Sequence, residues 1–212
     1  MALDLYVVTD ETLGRGRSHA EIAKLACAGG ADAIQLRDKC CGMSDLCRAG
    51  REIREITRKT GALFIVNDRL DVALACGADG VHLGQGDVRV DVARQIAPRS
   101  FVIGVSVGNA GEAVVAEEAG ADYVALSPLF STASKDNAGP GQGLYVLREI
   151  WSAVSIPVIA IGGISRDNVG AVIGAGADGV AVISAVVGQP DITAAARDLK
   201  DRITTAKRER KR

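Results

Sequence analysis

The tripeptide Gly-Ala-Asp occurs four times in this chain of 212 residues, at Gly30-Ala31-Asp32, Gly77-Ala78-Asp79, Gly120-Ala121-Asp122 and Gly176-Ala177-Asp178. Each copy closes an alanine-rich helical stretch. Each is followed at once by an apolar run of strand type: Ala33-Ile34-Gln35-Leu36, Gly80-Val81-His82-Leu83, Tyr123-Val124-Ala125-Leu126 and Gly179-Val180-Ala181-Val182. The glycine supplies the left-handed conformation that ends a helix. Between consecutive copies there is room for about two strand-plus-helix units. Four double units make eight, and eight parallel strands with eight helices close into a (β/α)8 TIM barrel of class α/β. Functional residues are then expected at the carboxyl ends of the strands.

A barrel of this kind needs roughly 200–250 residues, so residues 1–212 are read as one domain. The basic end, residues 207–212, reads as a frayed, solvated tail of the last helix. A hydrophobic fraction of 48% suits a large core, and a net charge of −1 exerts no global pull toward nucleic acid or membrane. The absence of a leader-like segment and of a long apolar span points to the cytoplasm, and the pattern specifies no oligomeric interface. The five cysteines have no Cys-x-x-Cys spacing and only His19 and His82 to join them, which argues against a zinc site. Cys27 and Cys76 read as small core residues, His82 as a hydrogen-bonded core residue without a catalytic role, and Trp151 as core packing.

The strands are expected at residues 5–9, 33–39, 63–66, 81–83, 101–105, 123–126, 157–161 and 179–183. Helix one should start at Ser18, an N-cap with Glu21 three residues on, and helix eight should run from 192 to about 208. The longest irregular segment is 127–143, after strand six.

Four groups of residues at the strand ends carry chemistry. Gln35, Arg37 and Lys39 alternate along strand two and so share one face. Two cations there suit an anion such as a diphosphate. Asn67-Asp68 ends strand three and Asp87 follows strand four. Neighbouring strands lie about 5 Å apart, so two carboxylates at adjacent ends can share one Mg2+ that bridges to substrate phosphate; capping of the following helices is the competing reading. Ser131-Thr132-Ala133-Ser134-Lys135 puts hydroxyls and a lysine in the long loop, a lid or ordinary filler. Gly162-Gly163-Ile164 after strand seven and Ile183-Ser184 after strand eight occupy the usual place of a barrel phosphate site. Two phosphorylated small molecules meeting at one barrel mouth suggest a transferase.

Taken together, Gln35-Leu36-Arg37-Asp38-Lys39, Phe64-Ile65-Val66-Asn67-Asp68-Arg69, Gly80 to Asp87, Gly104-Val105-Ser106, Gly162-Gly163-Ile164 and Val182-Ile183-Ser184-Ala185 resemble the thiamine phosphate synthase family over nearly the whole chain. The resemblance implies that Gln35, Leu36, Arg37, Asp38, Lys39 and Asn67, with Ser106 and Lys135, contact hydroxymethylpyrimidine diphosphate. It implies that Asp68 and Asp87 hold Mg2+, and that Thr132, Ala133, Ser134, Gly163, Ile183 and Ser184 bind thiazole phosphate. The catalytic group would be Arg37, Lys39, Ser106 and Lys135. One stretch departs from the family pattern: where Pro-Thr-x-Thr-Lys is common, this chain has Ser131-Thr132-Ala133-Ser134-Lys135.

The implied reaction needs no general base. The pyrimidine amino group stabilises a cation on the exocyclic methylene carbon, diphosphate leaves, and the thiazole nitrogen attacks with a lone pair that is already free. Two rivals stay open on the residues. One is a thiazole tautomerase-like isomerase, which has no use for Arg37, Lys39, Asn67, Asp68, Asp87 and Lys135. The other is a non-catalytic phosphate-ligand binder.

Overall fold

The computed structural model describes residues 3–132 and 140–210. Strand and helix alternate without exception: β1 (Leu5–Val8), α1 (His19–Ala28), β2 (Ala33–Leu36), α2 (Met43–Thr60), β3 (Leu63–Asn67), α3 (Leu70–Ala75), β4 (Gly80–Leu83), α4 (Val90–Ile96), β5 (Val102–Val107), α5 (Ala110–Glu118), β6 (Tyr123–Leu126), α6 (Gly143–Ala153), β7 (Val158–Ile161), α7 (Val169–Gly174), β8 (Gly179–Val182) and α8 (Ile192–Arg210). The strands close into one barrel in sequence order. Each pairs in parallel with the next, and β1 closes on β8 through Leu5–Val180, Tyr6–Ala181 and Val7–Val182.

The Gly-Ala-Asp repeat explains the closure. The four glycines take φ of 95°, 62°, 96° and 118°, a region that a side chain disfavours, and there the chain leaves a helix and turns into an even-numbered strand. Each aspartate then clips that strand to the preceding odd one. Its carboxylate accepts a strand N–H from Leu5 (2.8 Å), Phe64 (2.8 Å), Ile103 (2.7 Å) or Val158 (3.0 Å). Its own N–H donates to the carbonyl of that same residue at 2.7–2.9 Å. A cation from an even-numbered helix completes each clip: Lys200 on Asp32, Arg54 on Asp79, Arg94 on Asp122 and Arg210 on Asp178. All four clips lie at the amino ends of the strands, the face of a barrel given to stability, which leaves the carboxyl ends free for function.

The apolar mass lies between strands and helices. A smaller cluster fills the barrel, with Tyr6, Ile65, Tyr123 and Ile159 at its centre. Tyr6 and Tyr123 meet edge to face, ring centroids 6.1 Å apart.

Several boundaries differ from the sequence expectation. β2 stops at Leu36, so Arg37 and Lys39 sit on the loop that follows. β5 runs on to Val107 and contains Ser106. α8 reaches Arg210 instead of fraying from 207, because Lys207 Nζ bonds Asp4 at 2.5 Å and Arg210 donates to the carbonyls of Ile173 and Ala177. Trp151 is half-exposed, not core. One face of its ring covers Gly176, where a Cβ would stand 2.9 Å from Cγ. The Ser18 N-cap forms as expected, with Glu21 completing a capping box. The cysteines are unbridged.

Candidate functional site

A cavity of about 400 Å3 opens at the carboxyl ends of the strands. Its floor is polar because the strands point Gln35, His82 and Ser106 inward, and Tyr6 lines it as well. Gln35, Arg37, Lys39, Asn67, Asp68 and Ser106 lie on one side of the mouth. Thr132, Gly163, Ile183 and Ser184 lie on the other. Leu36 and Asp38 do not line it. The pleat turns them away, Leu36 into the core at 1% exposure and Asp38 toward α1. Ala133, Ser134 and Lys135 lie outside the described residues.

Arg37 is held from two directions. Its N–H donates to Thr9 Oγ1 at 3.3 Å, and its guanidinium pairs with Asp10 Oδ2 at 3.7 Å, both groups largely shielded from solvent. Behind it, His19 Nδ1 lies 2.7 Å from Thr9 Oγ1, and Nε2 lies 3.3 Å from Asp38 Oδ2. Burial opposes the charge on Asp38, yet the Cys41 thiol and the N–H groups of Cys40 and Cys41 hold its carboxyl well below the usual range. The bond to Asp38 in turn pushes the Cys41 thiol up to about 11. Asp38 thus fixes the loop between two cations. Thr9, Asp10 and His19 were missed by sequence reasoning. The polar pair Thr9-Asp10 directly after the first apolar run was the available signal.

Asp68 and Asp87 are neighbours. Neither caps a helix, since Arg69 and Arg89 take the N-cap positions of α3 and α4 without side-chain caps, so the capping reading fails. Asp87 Oδ2 accepts the Gly84 N–H at 2.6 Å, closing its loop. Asp68 has φ 61°, uncommon for a residue with a side chain, and its N–H is held by the carbonyl of His82 at 2.8 Å. Burial, and next the Asp87 carboxylate, raise the pKa of Asp68; Lys39 and Asn67 act in the opposite sense. Two half-buried carboxylates forced together, beside a mouth that carries cations for an anion, form a donor set that fits Mg2+ shared with substrate phosphate. A second set, Glu11, His19 and Asp38, brings its donor atoms within 4.8 Å of one another. Glu11 and His19 line a separate cleft outside the barrel mouth.

On the far side, Gly163 takes φ 63°, and a Cβ on it would stand 2.8 Å from Phe130 Cβ and from the Ser131 carbonyl. The loop after β6 therefore packs directly on the glycine turn after β7, where Phe130 N–H donates to the Gly162 carbonyl at 3.1 Å. The backbone N–H groups of Gly163 and Ser184 bond no other described residue. They lie at the edge of the cavity, as an anion site requires. Two further lining residues, Gln85 and Glu112, brace the rim. Gln85 donates to the Ser106 carbonyl at 2.7 Å, and Glu112 accepts the Gly108 N–H at 2.7 Å.

The chain is similar to known proteins along nearly its whole length. The family model described as thiamine monophosphate synthase matches residues 5–186. A thiamine-phosphate synthase of Methanoregula boonei is 75% identical over 207 residues, covering 98% of this chain and 96% of its own. One of Methanoculleus marisnigri is 66% identical over 209 residues, covering 99% of both. The solved thiamine phosphate pyrophosphorylase of Pyrococcus furiosus superposes with a TM-score of 0.88 at 43% identity, covering 97% of each chain. A 3-hexulose-6-phosphate synthase, 21% identical with a TM-score of 0.68, shares the fold alone.

Proposed function

Because the chain belongs to the thiamine monophosphate synthase family, we propose that it joins hydroxymethylpyrimidine diphosphate to thiazole phosphate in a Mg2+-dependent transfer at the barrel mouth. The product is thiamine phosphate and the leaving group is diphosphate. The observation that carries this reading is the two-sided cavity: Arg37, Lys39, Asp68 and Ser106 on one side, with Asp87 outside the lining but in contact with Asp68, and glycine-turn N–H groups and Thr132 on the other. An isomerase acting on one monophosphate would use only the second side, and relatives 75% and 66% identical over nearly the whole chain are synthases.

Gln35 and Asn67 orient the pyrimidine diphosphate. Arg37, locked between Thr9 and Asp10, and Lys39 beside Asp68 face the charge that grows on the diphosphate as the C–O bond breaks. Asp68 and Asp87 would hold Mg2+, which supplies Lewis-acid stabilisation of the leaving group. Gly163, Ile183, Ser184 and Thr132 fix the thiazole phosphate so that its ring nitrogen faces the methylene carbon. The new C–N bond uses the nitrogen lone pair, so no residue removes a proton. Holding both reactants in one cavity makes the second step effectively unimolecular. Ala133 and Ser134 would contact the thiazole phosphate and Lys135 the pyrimidine diphosphate. No helix among the described residues is long and apolar enough to cross a membrane, and the reading assigns the reaction to the cytoplasm.

Chelation tests the metal assignment. Thiamine phosphate formation should stop in excess EDTA and return on adding Mg2+ beyond the chelator. Turnover that survives EDTA would overturn the role given to Asp68 and Asp87.

A further inference from the structure

Across the cavity floor runs an unbroken row of short polar contacts. Gln35 Nε2 donates to Tyr6 Oη at 2.7 Å, Tyr6 Oη lies 3.1 Å from Tyr123 Oη, Tyr123 Oη lies 3.0 Å from His82 Nδ1, and His82 Nε2 lies 2.9 Å from Ser106 Oγ. The row crosses the barrel from β2 through β1, β6 and β4 to β5. It exists because β5 carries Gly104, not a larger residue, opposite Tyr123. A Cβ at 104 would lie 1.9 Å from Tyr123 Cζ, so the missing side chain is what lets the phenol reach between Tyr6 and His82. The imidazole stacks on the Tyr123 ring at 5.6 Å and 25°.

Such a row has two self-consistent directions, because each hydroxyl gives one proton and a neutral imidazole gives one and takes one. The Gln35 amide selects between them. Its NH2 group faces Tyr6, so the Tyr6 oxygen accepts and its proton goes on to Tyr123. The Tyr123 proton goes to His82 Nδ1, which leaves the imidazole proton on Nε2, pointing at Ser106 Oγ. The Ser106 proton is then left for the cavity, and Gln35 Oε1 is left as a bare acceptor at the other end. Neither Ser106 Oγ nor Gln35 Oε1 bonds any other described side chain, and both residues line the cavity. Burial raises the pKa of both phenols, so both keep the protons that the row needs.

We propose that Tyr6, Tyr123 and His82 are positioning residues that form a one-way hydrogen-bond relay, which presents an acceptor at Gln35 and a donor at Ser106. The acceptor suits an amino group and the donor suits an anion. In the opposite direction Ser106 would turn oxygen lone pairs toward negative charge. Matching these ends to the pyrimidine amine and to the diphosphate rests on the function proposed above; the direction of the relay does not. His82 has a separate backbone task, since its carbonyl holds Asp68, and side-chain variants leave that bond in place.

The first test is spectroscopic and needs no substrate. The chain has two histidines, so long-range 1H–15N correlation of the labelled protein, with His19→Gln for assignment, reports both rings. The relay requires His82 neutral, with Nε2 protonated and Nδ1 bare. A proton on Nδ1 would overturn it. The second test is kinetic. Tyr123→Phe keeps the ring in the core and breaks the row in the middle. It should raise KM for hydroxymethylpyrimidine diphosphate about five- to tenfold and leave KM for thiazole phosphate unchanged. His82→Gln restores a donor near Ser106 and should recover much of what His82→Ala loses. Unchanged KM values in folded Tyr123→Phe, or equal losses in folded His82→Gln and His82→Ala, would refute the relay. A wild-type protein that makes no thiamine phosphate would refute the proposed function instead, and the imidazole spectrum would still decide the direction.

Discussion

Replacing Asp68 by asparagine should stabilise the fold and abolish turnover together. Asparagine tolerates φ 61° at least as well as aspartate, and the N–H bond to His82 is untouched, so the substitution adds no backbone strain. What it removes is a carboxylate whose pKa is raised by burial and by the adjacent Asp87. In the metal-free protein a raised pKa means that folding favours the protonated acid. The stability this contributes is complete below the unfolded pKa and is lost as pH rises through the folded pKa. At neutral pH the charge is therefore a cost, about 0.5–1 kcal/mol after solvent screening. For a chain of this size each kcal/mol moves Tm by roughly 2–4 °C, so Asp68→Asn in EDTA should melt about 1–4 °C above wild type. The gain should shrink as pH falls through the raised folded pKa, where wild-type Asp68 becomes protonated. Adding Mg2+ should reverse the order. At one hundred times its Kd the ion adds about 2.7 kcal/mol to the wild type and much less to the variant. Differential scanning calorimetry in EDTA and in Mg2+, with turnover measured on the same samples, checks all of this. A variant that melts below wild type in EDTA, or that gains as much from Mg2+, would refute the reading of Asp68 and Asp87 as a strained metal pair.

Arg37→Ala should cost about 2–4 kcal/mol in kcat/KM, roughly a 30- to 1000-fold loss, with Tm unchanged, because the guanidinium faces the cavity from the loop after β2 and not from the core. Normal turnover, or a failure to fold, would make the Arg37–Asp10 pair structural instead. Asp79→Ala should do the reverse. It removes the clip on Phe64 N–H and strands Arg54, whose Nε is already buried without a partner among the described residues. About 2–4 kcal/mol of stability should disappear in urea unfolding with both KM values intact.

Most of the barrel was legible because its punctuation is local. A glycine that must take positive φ and an aspartate that clips the next strand recur at fixed places in each double unit, and both leave a mark in sequence. The end of β2 was not legible. Gln35, Arg37 and Lys39 keep alternating after strand pairing stops, since the Arg37 N–H bonds the Thr9 hydroxyl and not a neighbouring strand. The two proposed anion sites were readable as residue types at strand ends. What holds them was not. Asp10 and His19 reach Arg37 and Asp38 through space; the polar pair Thr9-Asp10 after the first apolar run marks only the first of them. His82, flanked by Val81 and Leu83, reads as a hydrogen-bonded core residue, and it is buried and hydrogen-bonded. The pleat that sends those two toward the helices sends His82 to the barrel interior, but its partners Tyr123 and Ser106 come from other strands. Ala133, Ser134 and Lys135 lie outside the described residues.

Incubating the purified protein with hydroxymethylpyrimidine diphosphate, thiazole phosphate and Mg2+, and following both products by mass spectrometry and diphosphate release, tests the central claim most directly. Thiamine phosphate and diphosphate should appear in equal amounts, only when both substrates are present, and not with the Asp68→Ala, Asp87→Ala double variant. Diphosphate release without thiamine phosphate, or substrate binding without either product, would contradict the transferase reading.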